Sequence, residues 1–441
     1  MIIRNVNIPD FKSFEIQKSV DIFIKDGTID KIMPSEPGFT EVPVAEHVID
    51  GKGMTAIPGM VNTHAHTAMT LLRGTAEDLN ALDWFNKRMW IYEQGLKPRD
   101  IYVGSMIGAA EMLLNGVTCV ADHYFSMEQA WSAFHQVGIR ADLSWALFGM
   151  GDEADANYSR SLEFIEDFQD KDPRIKISLG PHSPYLCPDD FLRKVVDAGE
   201  KLGLKLHIHV AEDERQMLLS KKERGKTPIE VLYDTGVIQD KGKGAGTILA
   251  HAYWASDSDM DIIAKCDAGI AHCPKTYARF GDFHDFLPRA LSHGLSVGMG
   301  SDGPASNSNM NLMEAARLAA LIAKGTAGRA EEANLSQVLP LLFGGGKILG
   351  LPEYGALLPG APADIVLLNL STPEMMPGTN FFADLLYCMD GRSVDTVVVD
   401  GKPLVMGGKL MTISLVSLKE EAEEIAVRLV STKADAPMQT Y

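Results

Sequence analysis

The sequence predicts an α/β protein: a (β/α)8 TIM-like barrel with a small β-sandwich formed by the N- and C-terminal segments. Three observations carry that expectation. From Thr55 onward, eight short apolar runs alternate with helix-like stretches over about 300 residues, as a barrel requires. The segments on either side, 1–57 and 361–441, read mainly as short strands and share one character. No Gly-rich phosphate loop follows the first run, which removes the dinucleotide-binding open sheet as a rival.

The elements follow in order. Val20 to Ile24 alternates and meets Asp26-Gly27, a hairpin signal. Ile29 to Ile32 follows, then a stretch bearing Pro and Gly, then Val48 to Gly53. The eight apolar runs are 55–61, 117–122, 139–146, 175–180, 204–210, 246–250, 267–271 and 295–300. The clearest helix between them is 97–116. Pro98 suits its first turn, Val103, Ile107, Ala110 and Leu114 recur at helical spacing, and Gly116 closes it. After residue 360 the chain returns to strands at 364–368 and 396–401, and Lys419 to Val430 reads as a terminal amphipathic helix. The expected units are therefore a composite sandwich of 1–57 with 361–441, and a barrel of 58–360.

Bulk properties narrow the function classes. Hydrophobic residues are 46 % and charged residues 23 %, a globular composition. A net charge of −18 argues against a nucleic-acid partner, which needs a basic face. No run approaches the roughly 18 apolar residues of a membrane span, so no membrane partner is expected. The start, Met1-Ile2-Ile3-Arg4-Asn5, enters strand-like sequence directly, and no signal peptide is expected. Five scattered cysteines form no CxxC pair. That argues against a disulfide framework or a thiolate metal site, and suits a cytoplasmic protein.

The chemistry becomes visible at the ends of the eight runs, where a barrel builds its active site. They carry Asn62-Thr63-His64-Ala65-His66, Asp122-His123, Trp145, His182, His207-Ile208-His209 with Glu212, His251, His272, and Ser301-Asp302. Eight of the 12 histidines lie there. In a strand, residues i and i+2 share a side, so His64 and His66 can both face the barrel mouth and chelate one ion. His209 and Asp302, across the barrel, complete the set. A structural zinc site would instead use closely spaced Cys. One divalent ion is expected, zinc first, with Fe2+ or Mn2+ also suited to imidazole and carboxylate. Such an ion lowers the pKa of its water to about 7. Asp302 can ligate the ion and also take a proton from that water. Glu212 would move that proton to a ring nitrogen of a substrate, provided that the strand turns between His209 and Glu212. His251 would polarise the attacking oxygen. His182 would touch the substrate ring, and His123 either lines the pocket or supports from behind by a hydrogen bond. Lys275 and Tyr277 either contact substrate or order their loop. Residues 67–96, with Trp84, Phe85 and Trp90, form a lid over the mouth, a packed barrel insertion or a dimer contact.

The pieces PGMVNTHAH (58–66), HVAE (209–212), AH (250–251), SDG (301–303) and GALLPGAPADIVLL (355–368) together resemble the amidohydrolase superfamily over essentially the whole chain. Within it, TAMTLLRGTAEDLNALDWF (67–85), MWIYEQGL (89–96), GPHSPYLCP (180–188) and SDGPASNSNMNL (301–312) look most like the methylthioadenosine/S-adenosylhomocysteine deaminase and triazine hydrolase subgroup. The resemblance implies metal on His64, His66, His209 and Asp302, with Glu212 and His251 as acid–base groups. It implies one metal, because His182 stands where two-metal members usually place a Lys. It also implies ribose binding by Glu93 and purine contact by His182. Two departures bear on substrate. The stretch AHCPKTYARF (271–280) replaces the nucleoside deaminases' SHNPxSNxKL, and Trp145 stands where an Arg would meet a homocysteine carboxylate. Both favour a flatter, less charged heterocycle, with Trp145 as a contact. The expected reaction is hydrolytic deamination of an adenosine derivative, aminopurine, pterin or triazine. A triazine chlorohydrolase comes second and a cyclic-amide hydrolase third, with an inactive metal-binding scaffold last. A homo-oligomer is expected from the resemblance.

Overall fold

The computed structural model describes residues 1–36, 47–351 and 353–432. The stretch bearing Pro and Gly before Val48 falls mostly outside them.

Eight parallel strands form the barrel in sequence order: Met60–Ala65, Val117–Tyr124, Arg140–Leu147, Ile175–Pro181, Leu206–Val210, Thr247–His251, Ala268–His272 and Ser296–Met299. The ring closes where the last strand returns to the first. Thr63 Oγ1 donates to the Met299 carbonyl at 3.0 Å, and Asp302 N donates to the His64 carbonyl at 3.0 Å. Closure thus runs through two of the expected metal ligands. Helices cover the outside, among them Pro98–Leu114, which starts on its proline as expected. Lys97 N caps it by donating to the Asp100 carboxylate at 2.8 Å, and Gly116, at φ +79°, ends it.

The first apolar run divides into two elements. Met54–Pro58 belongs to the outer sheet, Met60–Ala65 to the barrel, and Gly59 joins them. A Cβ at Gly59 would lie 1.9 Å from Thr118 Oγ1, so only glycine lets the chain cross this close to the second strand.

The outer sheet has nine strands from both ends of the chain. Ile2–Pro9, Ile16–Lys25, Thr28–Pro34 and Val48–Asp50 form one half. Met54–Pro58, Ile365–Asn369, Val394–Val399, Lys402–Met406 and Lys409–Leu410 form the other. The halves share one pairing, Asn7 with Thr55, and enclose a common core of Ile3, Val6, Ile22, Ala56, Ile365, Leu367 and Val398. The hairpin turn has Asp26 at φ +49° and Gly27 at φ +76°, the backbone of a two-residue turn between twisted strands. The terminal helix, Val416–Val430, lies against the barrel helix Pro98–Leu114 instead of the sheet. Arg428 donates to Gly95 O at 2.6 Å, and Arg99 makes a two-pronged bond to Glu421 at 2.8 and 2.9 Å.

Candidate active site

Three histidines meet at the barrel mouth, each fixed from behind. His66 Nδ1 donates to His123 O at 2.5 Å, His209 Nδ1 to His182 O at 2.9 Å, and His64 Nδ1 stands 2.8 Å from His207 Nε2. His207 Nδ1 in turn faces Ser144 Oγ at 3.4 Å. With the Nδ1 atoms occupied as donors, each ring turns a lone pair inward from Nε2. The Nε2 atoms of His66 and His209 are 3.2 Å apart, and His64 Nε2 is buried with no hydrogen-bond partner among the described residues. Asp302 Oδ1 lies 3.5 Å from His64 Nε2 and 3.3 Å from His66 Nε2. Its other oxygen accepts from Thr276 Oγ1 at 2.7 Å and Ser306 Oγ at 2.9 Å. Three inward lone pairs and a carboxylate oxygen repel one another unless a cation sits among them. The donor set therefore fits one divalent ion, with the second layer that such ligands need.

Burial keeps the imidazoles neutral, as ligation requires. It pushes His64 down to about 4, His182 and His251 to about 3, and His209 well below its ordinary value.

The strand ends are bent to aim their side chains. Ala211, His251, Ala252 and Asp302 all have positive φ, between +47° and +74°. Non-glycine residues rarely adopt it, and such strain clusters at functional sites. The turn at Ala211 swings Glu212 back over the mouth, where His209 alone would face if the strand continued. Glu212 Oε1 comes to 3.8 Å from His251 Nε2, and Glu212, His251 and Asp302 present their polar atoms within 4.8 Å of one another. Burial raises the Glu212 carboxyl well above the usual range, and Asp302 and Asp213 push it the same way. Its side chain stays 33 % exposed to the cavity, so it can both hold a proton and reach a ligand.

The cavity in front measures about 290 Å³. Aromatic rings dominate its walls: Trp84, Phe85, Trp90, Phe125, Phe148 and Phe280. Residues 81–93 form one wall, anchored by Trp84 Nε1 donating to Ala305 O at 3.1 Å. Glu93 accepts from Tyr124 Oη at 2.6 Å, and burial pushes its carboxyl up to about 7. His182 stacks on Phe148, centroids 4.8 Å apart. His64 lies beneath the cavity, and His66, His209, Asp302, Glu212, His251, Glu93 and His182 line it.

Trp145 does not, which corrects its assignment as a contact. On the third strand Ser144 and Ala146 face inward, so alternation turns Trp145 out against Phe164, centroids 5.9 Å apart. Phe148, beyond the strand, holds the wall there. Lys275 also stays out: it bonds Asn309 at 2.6 Å and orders the loop. Sequence reading gave no role to His207, Phe148, Tyr185, Arg215 and Gln216. The HxH spacing that flagged His64 and His66 applies equally to His207 and His209. The other four lie past strand ends, where no periodicity speaks.

The amidohydrolase family profile matches residues 55–404. The chain belongs to the amidohydrolase family. A 5-methylthioadenosine/S-adenosylhomocysteine deaminase of Desulforudis audaxviator is 36 % identical over 417 residues, 93 % of this chain and 95 % of its own. A zinc-bound crystal structure of an adenosine deaminase from Xanthomonas campestris superposes with a TM-score of 0.90 at 25 % identity, over 97 % of this chain and 98 % of that one. The atrazine chlorohydrolase of Arthrobacter aurescens, 23 % identical, shares the fold at a TM-score of 0.87 over 96 % of this chain and 99 % of its own. The resemblance read from the motifs, to both deaminases and triazine hydrolases, thus agrees with its relatives. Among the described residues no helix is long and apolar enough to cross a membrane.

Proposed function

We propose that this amidohydrolase is a mononuclear, zinc-dependent hydrolytic deaminase of an amino-substituted N-heterocycle, with adenosine-type nucleosides the leading substrate class. One observation carries the reaction type: the raised Glu212 carboxyl beside His251, open to an aromatic cavity in front of the histidine cluster. The net reaction adds water across C–N, replaces the exocyclic amine by oxygen and releases ammonia.

His64, His66, His209 and Asp302 would hold the ion, which supplies Lewis-acid activation of water. Glu212 would take one proton from the attacking water and deliver it to the ring nitrogen beside the reacting carbon, and the second proton would leave with the amine as ammonia. Its raised pKa lets it hold the proton near neutral pH. His251 hydrogen-bonds the attacking oxygen. The flat walls and His182 clamp the heterocycle, and Glu93 accepts from ribose hydroxyls. Asp302, relieved of none of its Thr276 and Ser306 bonds, stays a fixed anion.

The deaminase relatives support this reading, and a carboxyl able to hold a proton suits loss of an amine, which must be protonated to leave, more than loss of chloride, which leaves as an anion. Exposed Val416 and Val427, 84 % and 73 % accessible on the terminal helix, support the further reading that the protein is a homo-oligomer. Five unpaired cysteines suit a reducing cytoplasm. The test is ammonia release by zinc-reconstituted enzyme from a panel of 5′-substituted adenosines, aminopurines, aminopterins and aminotriazines. Release from none of them overturns the proposal.

A further inference from the structure

His251 needs a defined tautomer if its Nε2 is to meet the reacting oxygen. Its Nδ1 lies 3.1 Å from the hydroxyl of Tyr277, a residue of the HCPKTY stretch. That hydroxyl also accepts the Cys273 backbone N–H at 3.4 Å. Among the described residues the hydroxyl proton has no acceptor other than His251 Nδ1. The order of donation is therefore fixed: Cys273 N–H to Tyr277 oxygen, Tyr277 O–H to His251 Nδ1. A neutral imidazole that accepts at Nδ1 carries its proton on Nε2. The Nε2 side is the one facing Glu212 at 3.8 Å.

The phenol is held to this task. Tyr277 is 2 % exposed and stacks on Tyr253, centroids 3.7 Å apart and planes 11° from parallel. It rides on the short helix Pro274–Arg279, whose Thr276 bonds Asp302. The same helix thus fixes both a metal ligand and the acid–base histidine. His251 itself sits at φ +74°, which leaves its ring little freedom.

We propose that Tyr277 is a positioning residue that locks His251 in the Nε2–H tautomer, making it a hydrogen-bond donor to the attacking oxygen and not a base. This rests on the deaminase reading only for the identity of that oxygen. The tautomer can be tested without any substrate.

The experiment has two arms on the full-length protein. In the first, 15N-histidine spectra of the zinc-loaded and metal-free protein assign His251 by its loss in His251→Gln. The expected signal is a neutral Nε2–H ring in wild type and mixed tautomers in Tyr277→Phe. An Nδ1–H ring in wild type overturns the proposal, whether or not Tyr277→Phe folds. In the second, Tyr277→Phe keeps the stack on Tyr253 and removes only the hydroxyl. The expected result is kcat lowered about 10–100-fold with KM within about twofold, as for loss of a partner behind a metal-site residue. His251→Gln with Tyr277→Phe should lose no more than His251→Gln alone. Additive losses, or an unchanged kcat in Tyr277→Phe, overturn it. If the panel shows no deamination, the spectroscopic arm still decides the tautomer, so the two proposals fail separately.

Discussion

His207 Nε2 stands 2.8 Å from His64 Nδ1, fully buried in the barrel beneath the expected ion. Neither ring has room to turn, so the orientation of one ligand is set by a side chain that never touches the site.

Replacing His207 should therefore act on metal binding before it acts on chemistry. His207→Leu is expected to weaken zinc binding by about 10–100-fold. Competition against a chelator dye measures it. Unchanged affinity would remove His207 from the metal's support.

Glu212→Gln keeps the size of the side chain and removes the transferable proton. The expected outcome is a fall in kcat of about 10²–10⁴-fold with zinc content unchanged. Activity near wild type would sink the proton-transfer role.

Glu93 gives a pH dependence whose sign follows from burial. Its carboxyl is raised to about 7, so it is neutral below that pH and charged above it. A charged carboxylate is the stronger acceptor for ribose hydroxyls. KM for ribose-bearing substrates should fall by up to roughly tenfold per pH unit until Glu93 is ionised, and Glu93→Gln should flatten the trend. In the free protein the same shift works against folding. The unfolded carboxyl ionises near its ordinary 4.5, so stability is lost as pH rises from there through about 7. A KM that climbs with pH in this window would contradict the assignment.

Phe148 and Trp145 separate a wall of the cavity from its outer packing. Phe148→Ala should raise KM for heterocycles several-fold, as loss of a stacking face of about 0.5–1.5 kcal/mol implies. Trp145→Phe should leave KM alone. Steady-state kinetics on both variants distinguish them, and a larger KM effect in Trp145→Phe would reverse the placement.

Chelation tests the cation argument through folding. Inward lone pairs on His66 and His209 at 3.2 Å cost stability when no ion separates them. Zinc at about 100-fold over its Kd should stabilise the protein by about 2.7 kcal/mol. An unfolding midpoint insensitive to zinc would refute a preformed site.

The barrel was legible because strands must be apolar and must alternate with helices, and the pairing of His64 with His66 because HxH in a strand puts both rings on one side. Alternation also exposes the error at Trp145: the strand runs to Leu147, and counting from Ser144 places Trp145 outward. That count needs an inward reference, which the contact of Ser144 with His207 and the place of Ala146 on the cavity wall supply. The run 55–61 read as one strand because nothing in its composition marks Gly59 as a crossing between sheets. Arg215, Gln216 and Phe148 come from loops and helix starts, whose course depends on packing between distant parts of the chain.

The strand Met54–Pro58 is held on one side by Ile2–Pro9 and on the other by Ile365–Asn369. A ribosome adding about 5–20 residues per second needs roughly 18–70 s to travel between those two partners. Until Ile365 is made, Met54–Pro58 carries an open edge beside buried Ile57, whereas Asp302, the last of the candidate metal ligands, is made 63 residues earlier. The catalytic mouth can assemble on a molecule whose outer sheet is still unfinished, so the late C-terminal strands act as the latch on a nascent chain vulnerable to edge-to-edge association.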